Sequence, residues 1–169
     1  MKMNNIIPTI KYLMLTIKHK FFVFVANYKY GIGVSLWRLI KHDLSKFLPS
    51  ELPNYGRQFY GDSNDPFGFM VCWIRHQNRN DHHWEYWIPR TTHNKCEDLC
   101  EENEPFPMPE CAIREMIADW LSAGRAYTGK WPDLDDWEWF KINKHKIKLH
   151  KKTWVILNSI INDITNSAK

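Results

Sequence analysis

A chain of 169 residues with nine tryptophans and 44% hydrophobic content is long enough for one domain that buries roughly two-thirds of its unfolded surface. Nine prolines, seven glycines and few alternating apolar runs argue against a sheet-rich fold. A net charge of +4 suits anionic substrates but falls well short of a protein that coats nucleic acid.

Helical periodicity dominates the chain. A first helix is predicted from Pro8, a favoured first-turn residue, to about Ala26. Its expected core stripe is Ile10, Leu13 or Met14, Ile17, Phe21 and Phe24, with Leu15, His19 and Phe22 opposite, so the helix reads as central. Lys11, Lys18, His19 and Lys20 interrupt this apolar stretch, which argues against a membrane span, and no small-residue cleavage site marks a signal peptide. Cys72, Cys96, Cys100 and Cys111 are therefore expected as free thiols in a reducing, cytoplasmic setting.

After a turn at Gly31 and Gly33, a second helix is predicted over about Val34 to Asp43 and a third from Pro49 or Ser50 to Tyr60. A fourth follows from Pro66 to about Asn78, and then a polar, aromatic run, Asn80 to Trp87. Residues 88–107, aperiodic and acidic at Asp98, Glu101, Glu102 and Glu104, read as an exposed loop insertion. The fifth helix is expected from Pro109 to Tyr127, with Ile113, Met116, Ile117, Trp120 and Leu121 inward. Residues 133–166 read as helical with a turn near His150, and Trp154, Leu157, Ile161 and Ile164 face the core. The expected fold class is all-α, a single helical bundle over residues 1–169.

The chemistry concentrates where the apolar run Val34, Leu36, Trp37, Leu39, Ile40 breaks into His42-Asp43-Leu44-Ser45-Lys46. A carboxylate beside a buried helix end costs several kcal/mol unless it has a partner, and a divalent cation is one such partner. His19, His76, His82, His83 and Asp119 are the candidate companions. Each alone has an ordinary reading. His19 fits a satisfied core histidine, His76 a surface residue beside Arg75 and Gln77, and His82 and His83 loop residues stacked on Trp84. Asp119, a poor helix former in mid-helix, fits an ion pair with Arg125 or Lys46 or a cap on another helix. Together, five of eight histidines beside apolar helices favour one or two divalent transition ions, of the kind of Mn, Fe, Zn, Ni or Co.

Three further features carry two readings each. Trp84, Tyr86 and Trp87 form either a wall for a stacked base or part of the core. His93, Cys96, Cys100 and Cys111 form either a small structural zinc site or unpaired thiols. The lysines at 141, 144, 146, 148, 151 and 152 form either a solvated face or a patch for nucleic-acid phosphates.

The order His19, His42-Asp43, Asp119 resembles the HD-domain superfamily of metal-dependent phosphohydrolases, α-bundles whose ligands follow the same order. Residues 10–155 also resemble a group of small phage and bacterial proteins that share HDLSKF, HHWEYW and REMIADW. The resemblance implies a hydrolase in which His19, His42, Asp43 and Asp119 hold one ion. Asp43 would bridge to a second ion on His76 and on His82 or His83. It further implies a metal-activated water attacking phosphorus, with Lys46 on the phosphate and Arg79, Trp84 or Arg125 as further substrate contacts. Asn80 or Glu85 would orient a ligand imidazole or the water. The implied substrate is a small phosphate ester, first of all a nucleotide. A non-catalytic nucleotide- or protein-binding module in phage–host conflict and a single-strand nuclease are the alternatives. The insertion at 88–107 and the lack of a Gly-Tyr-Pro signature set the chain apart from the one-metal and the cyclic-dinucleotide members of the superfamily.

Overall fold

The computed structural model describes residues 6–61, 65–89 and 104–167, and among these it contains helices and turns but no strand. In chain order the helices are α1 (Ile6–Lys29), α2 (Leu36–Lys41), α3 (Leu52–Tyr60), α4 (Pro66–Arg79), α5 (Glu110–Thr128), α6 (Glu138–Asn143) and α7 (Lys151–Ser167). Short 3-10 turns lie at Leu44–Phe47, Trp84–Trp87 and Lys144–Lys146. The all-α class agrees with the periodicity of the sequence. No described helix is long and apolar enough to cross a membrane.

α1 is the axis of the bundle and packs mainly against α3 and α5. Its inward face is Tyr12, Thr16, His19, Val23 and Ala26, a clean helical stripe. This corrects the expected stripe: Ile10, Met14, Ile17 and Phe21 lie in solvent, and only Phe24 of that series packs on the core, partly buried. The physical reason is that the bundle selects a face by what it must bury, and it buries the face that carries the imidazole. α1 and α3 approach closely, because a Cβ on Gly56 would come within 2.7 Å of the Thr9 backbone.

α5 and α7 supply nine of the nineteen buried residues of the larger apolar core. Ile113, Met116, Ile117 and Leu121 are fully buried, together with Leu157, Ile160 and Ile164. A second, smaller aromatic core joins Tyr12 of α1 to Tyr55 of α3 by stacking, with ring centroids 4.9 Å apart, and includes Cys72 of α4.

Two predicted helices are shorter than expected. α2 ends at Lys41, so His42 and Asp43 occupy the break after it and not its last turn. The expected turn near His150 is present, but residues 133–166 are otherwise less helical than expected. Asp133, Trp137 and Ile147–His150 are non-helical, and α6 is a short piece between them. The aromatic residues of Trp131–Phe140 satisfy burial without helical periodicity: Trp137 is buried, and Trp131 packs edge-on against Tyr30.

Candidate metal centre

Several elements converge on one point between α1, α4 and α5. His19 comes from the inward face of α1, His76 from that of α4, and Asp119 from mid-α5. His42 and Asp43 come from the break after α2, and His82 and His83 from the turn after α4. Asp43 is the only non-glycine residue with positive φ among those described, at φ 56°, ψ 18°. Asp tolerates that left-handed conformation better than most residues, and strained backbone of this kind gathers at functional sites.

The break is held from outside. Lys20 of α1 donates to the carbonyls of Leu39 (3.2 Å), Ile40 (2.7 Å) and His42 (2.6 Å), which caps the C-terminal end of α2 with a cation. Lys20→Ala is expected to cost about 1–3 kcal/mol of stability, seen as a lower midpoint in denaturant unfolding. Lys20→Arg should recover most of it.

The candidate ligand atoms form two sets that share Asp43. On one side lie His19 Nε2, His42 Nε2, Asp119 and Asp43. His19 Nε2 is 2.9 Å from Asp119 Oδ1 and 3.5 Å from Asp43 Oδ2, while His42 Nε2 is 3.4 Å from Asp43 Oδ2 and 3.5 Å from Asp119 Oδ1. On the other side lie His76, His82, His83 and the second oxygen of Asp43. His76 Nε2 and His82 Nε2 stand 3.2 and 3.5 Å from Asp43 Oδ1, and His83 Nε2 is 2.9 Å from His76 Nε2. Ligand atoms held at ~2.1 Å from one ion lie about 3.0–3.4 Å from each other, and both sets come close to that spacing.

The outer hydrogen bonds fix the tautomers. His42 Nδ1 and His82 Nδ1 lie 2.9 and 3.2 Å from the same Glu115 oxygen, and His76 Nδ1 lies 3.0 Å from Glu51 Oε2. Ionised carboxylates only accept, so each Nδ1 donates, and each Nε2 is left as the inward atom that can offer a lone pair once it carries no proton. Arg38 neutralises Glu115 at 2.6 Å and Arg79 neutralises Glu51 at 2.5 Å. Ser45 also donates to Glu51, and Asn80 donates to Ser45. With the imidazoles unprotonated, their lone pairs face lone pairs on carboxylates. Asp43 Oδ1 and His82 Nε2, both buried, have no hydrogen-bond partner at all. A divalent cation is the partner that this donor set fits, in number, type and spacing.

Ionisation agrees. Burial opposes the charge on Asp43, but His42, Lys46 and His76 outweigh it and hold the carboxyl well below its ordinary range. Asp119, also opposed by burial, behaves likewise through its hydrogen bonds to His19 and His42. His42 is pulled down by burial, but the Asp43 charge and the bonds to Asp119 and Glu115 push it up to about 10. The imidazole therefore carries a proton near neutral pH that an incoming cation must displace. Burial and the neighbouring imidazoles hold His83 well below its ordinary value, so it offers its lone pair without such a cost. Titration calorimetry of the apoprotein with Zn²⁺, repeated in buffers of different ionisation enthalpy, should show net proton release at pH 7. Affinity should fall as the pH is lowered.

The remaining candidate residues are placed as follows. Lys46 Nζ lies 2.6 Å from Asp43 Oδ2 and over the Tyr55 ring. Arg79 is committed to Glu51 and Ser50. Arg125 lies over the Phe22 ring, and Asp119 pairs with His19 and His42 instead of Arg125 or Lys46. Trp84 and Trp87 pack on the apolar core, which favours the core reading of that run, while Tyr86 is exposed. His93, Cys96, Cys100, Asp98, Glu101 and Glu102 lie outside the described residues; Cys111 is an exposed free thiol near Arg38. In the lysine cluster, Lys141 pairs with Asp136, Lys151 with Glu104, and Lys144 covers Phe140 and Trp154. Glu51, Glu115, Arg38 and Lys20 have no counterpart among the sequence candidates. Only Glu115 carried a signal, since it precedes Asp119 by four residues and so shares its helix face.

No curated protein and no solved structure matches the chain. Residues 9–163 match the Family of unknown function (DUF5662), a span that holds every ligand atom described above. The chain belongs to that family.

Proposed function

We propose that this chain is a metal-dependent phosphohydrolase of the HD type, acting on a nucleotide or another small phosphate ester. The observation that carries the reading is the Asp43 carboxylate, whose two oxygens each face a separate set of imidazole nitrogens. His19, His42, Asp43 and Asp119 would hold one divalent ion, and Asp43, His76, His82 and His83 a second. When bound, such ions lower the pKa of coordinated water towards neutrality and polarise phosphoryl oxygens.

The chain's own groups support this chemistry. Lys46 is kept charged by Asp43 against the effect of burial, and its ammonium can transfer part of its contact from Asp43 to a phosphate oxygen. Asp119, with 14% of its side chain exposed, and Lys46, with 12%, mark the side open to substrate. Glu115 and Glu51 hold the ligand imidazoles in one tautomer and orientation, so little reorganisation accompanies the reaction. Phe59 and Tyr127, exposed rings stacked with centroids 6.3 Å apart, offer a π-face for a base.

The test is phosphate release from a panel of nucleoside mono-, di- and triphosphates and simple phosphomonoesters, with protein loaded with Mn²⁺, Zn²⁺, Fe²⁺, Ni²⁺ or Co²⁺. Turnover of at least one ester, lost on chelation and restored by the ion, is expected. Full ion occupancy with no release from any of them would instead mark a binding module.

A further inference from the structure

The outward face of α1 is not used by the bundle. Ile7, Ile10, Met14, Ile17, Phe21 and Tyr28 are each between 49% and 70% exposed. Their spacing is 3, 4, 3, 4 and then 7 residues, and the missing middle position of the last interval is Phe24. That is a heptad pattern over three repeats, the a and d positions of a coiled coil, exposed at every position but Phe24, which packs partly on the chain's own core. The face buried in the bundle, Tyr12, His19 and Ala26, falls at the f position of the same heptad, opposite the seam. Together the six exposed side chains leave on the order of 700–900 Å² of surface on one helix face, more than the ~300–600 Å² patch usual on a monomer and close to the ~800 Å² per partner of a standard interface.

We propose that this seam is a self-association surface, on which two copies of the chain pack their α1 helices against each other about a two-fold axis. Two observations select a second copy over an anionic membrane. The regular alternation of three and four is the pattern that another helix of the same pattern interlocks with. The flanking cations that would meet lipid phosphates are mostly committed within the chain: Lys20 caps α2, and Lys18 donates to the Ala126 carbonyl at 3.4 Å and lies over the Phe22 ring. A self-complementary apolar seam needs no opposite charge on the partner, and α1 contains no acidic residue to supply one. The arrangement leaves the ligand-bearing face of α1 untouched, so association and ion binding are separable.

The test is the solution mass of the 169-residue chain by light scattering and sedimentation. The expected mass is about twice 20.3 kDa. Met14→Lys with Ile17→Lys, and separately Met14→Glu with Ile17→Glu, should each give a folded monomer with undiminished ion content, because these side chains are already in solvent within one copy. An equimolar mixture of the two variants should recover the dimer, which a folding defect would not. Val155→Glu, at an equally exposed apolar site on α7, should leave the dimer intact. A monomeric unsubstituted chain at all accessible concentrations would overturn the proposal. So would a dimer that survives both double substitutions, or a monomer that floats with vesicles containing phosphatidylserine.

Discussion

Asp43→Asn is expected to remove ion binding at both positions at once and to lower phosphate release by at least about 10³-fold, as for residues that act as one unit. The reason is the shared carboxylate. Oδ2 faces His19 and His42 while Oδ1 faces His76 and His82, so no other single side chain belongs to both sets. Asn keeps the size of Asp and its tolerance of the left-handed conformation at φ 56°, so the turn should survive. Asp43→Ala removes that tolerance as well, and strain at such positions is of order 1–3 kcal/mol. Ion content by elemental analysis, read beside helicity by circular dichroism, separates the two effects. An Asn variant that kept both ions would show that the two sets are independent and that Asp43 does not join them.

The second large effect is expected at Glu115, which belongs to neither of the two sets around Asp43. One of its oxygens takes Nδ1 of both His42 and His82, and the other takes Arg38. Its ionisation is opposed by burial but favoured more strongly by these imidazoles, so the carboxyl is held far below its ordinary range. Glu115→Gln removes the charge and one acceptor, frees two imidazoles to rotate, and leaves Arg38 with Asp81 alone as its ion pair. Loss of such an outer carboxylate should weaken ion affinity about 10–100-fold at each side. Breaking a largely buried charge pair should cost about 3 kcal/mol or more of stability. Stability has a definite pH sense here. A carboxyl with a lowered folded-state pKa contributes fully above its unfolded pKa, near 4.3, and loses that contribution as the pH falls towards the folded one. The difference in urea midpoint between the unsubstituted protein and the Glu115→Gln variant should therefore shrink below about pH 4.

The candidate ligand set was legible because its members are chemically unusual where they stand. A histidine inside the apolar α1, a His-Asp pair at the end of an apolar run and an aspartate in mid-α5 each violate local propensity, and such violations gather at sites. Their gathering at one site was expected from the resemblance that their order carries, not from any one residue. The outer groups were harder to find, because Glu51, Arg38 and Lys20 look like ordinary surface charges in sequence. Only the tertiary fold brings them behind the imidazoles and the break that carries His42. The α1 stripe shows a different limit. A helix apolar on most faces has no periodicity that says which stripe turns inward, and the polar His19 and Thr16 marked the buried side better than the isoleucines did. The C-terminal third misled for a related reason, since closely spaced aromatics in Trp131–Phe140 can be buried by turns as well as by a helix.

If the two oxygens of one buried carboxylate serve two neighbouring cations, anomalous diffraction from crystals grown with Mn²⁺ or Zn²⁺ will show them. Two peaks flanking Asp43 are expected, one among His19, His42 and Asp119 and the other among His76, His82 and His83. Well-ordered density for these side chains with no peak beside Asp43, at saturating ion, would be incompatible with a shared carboxylate.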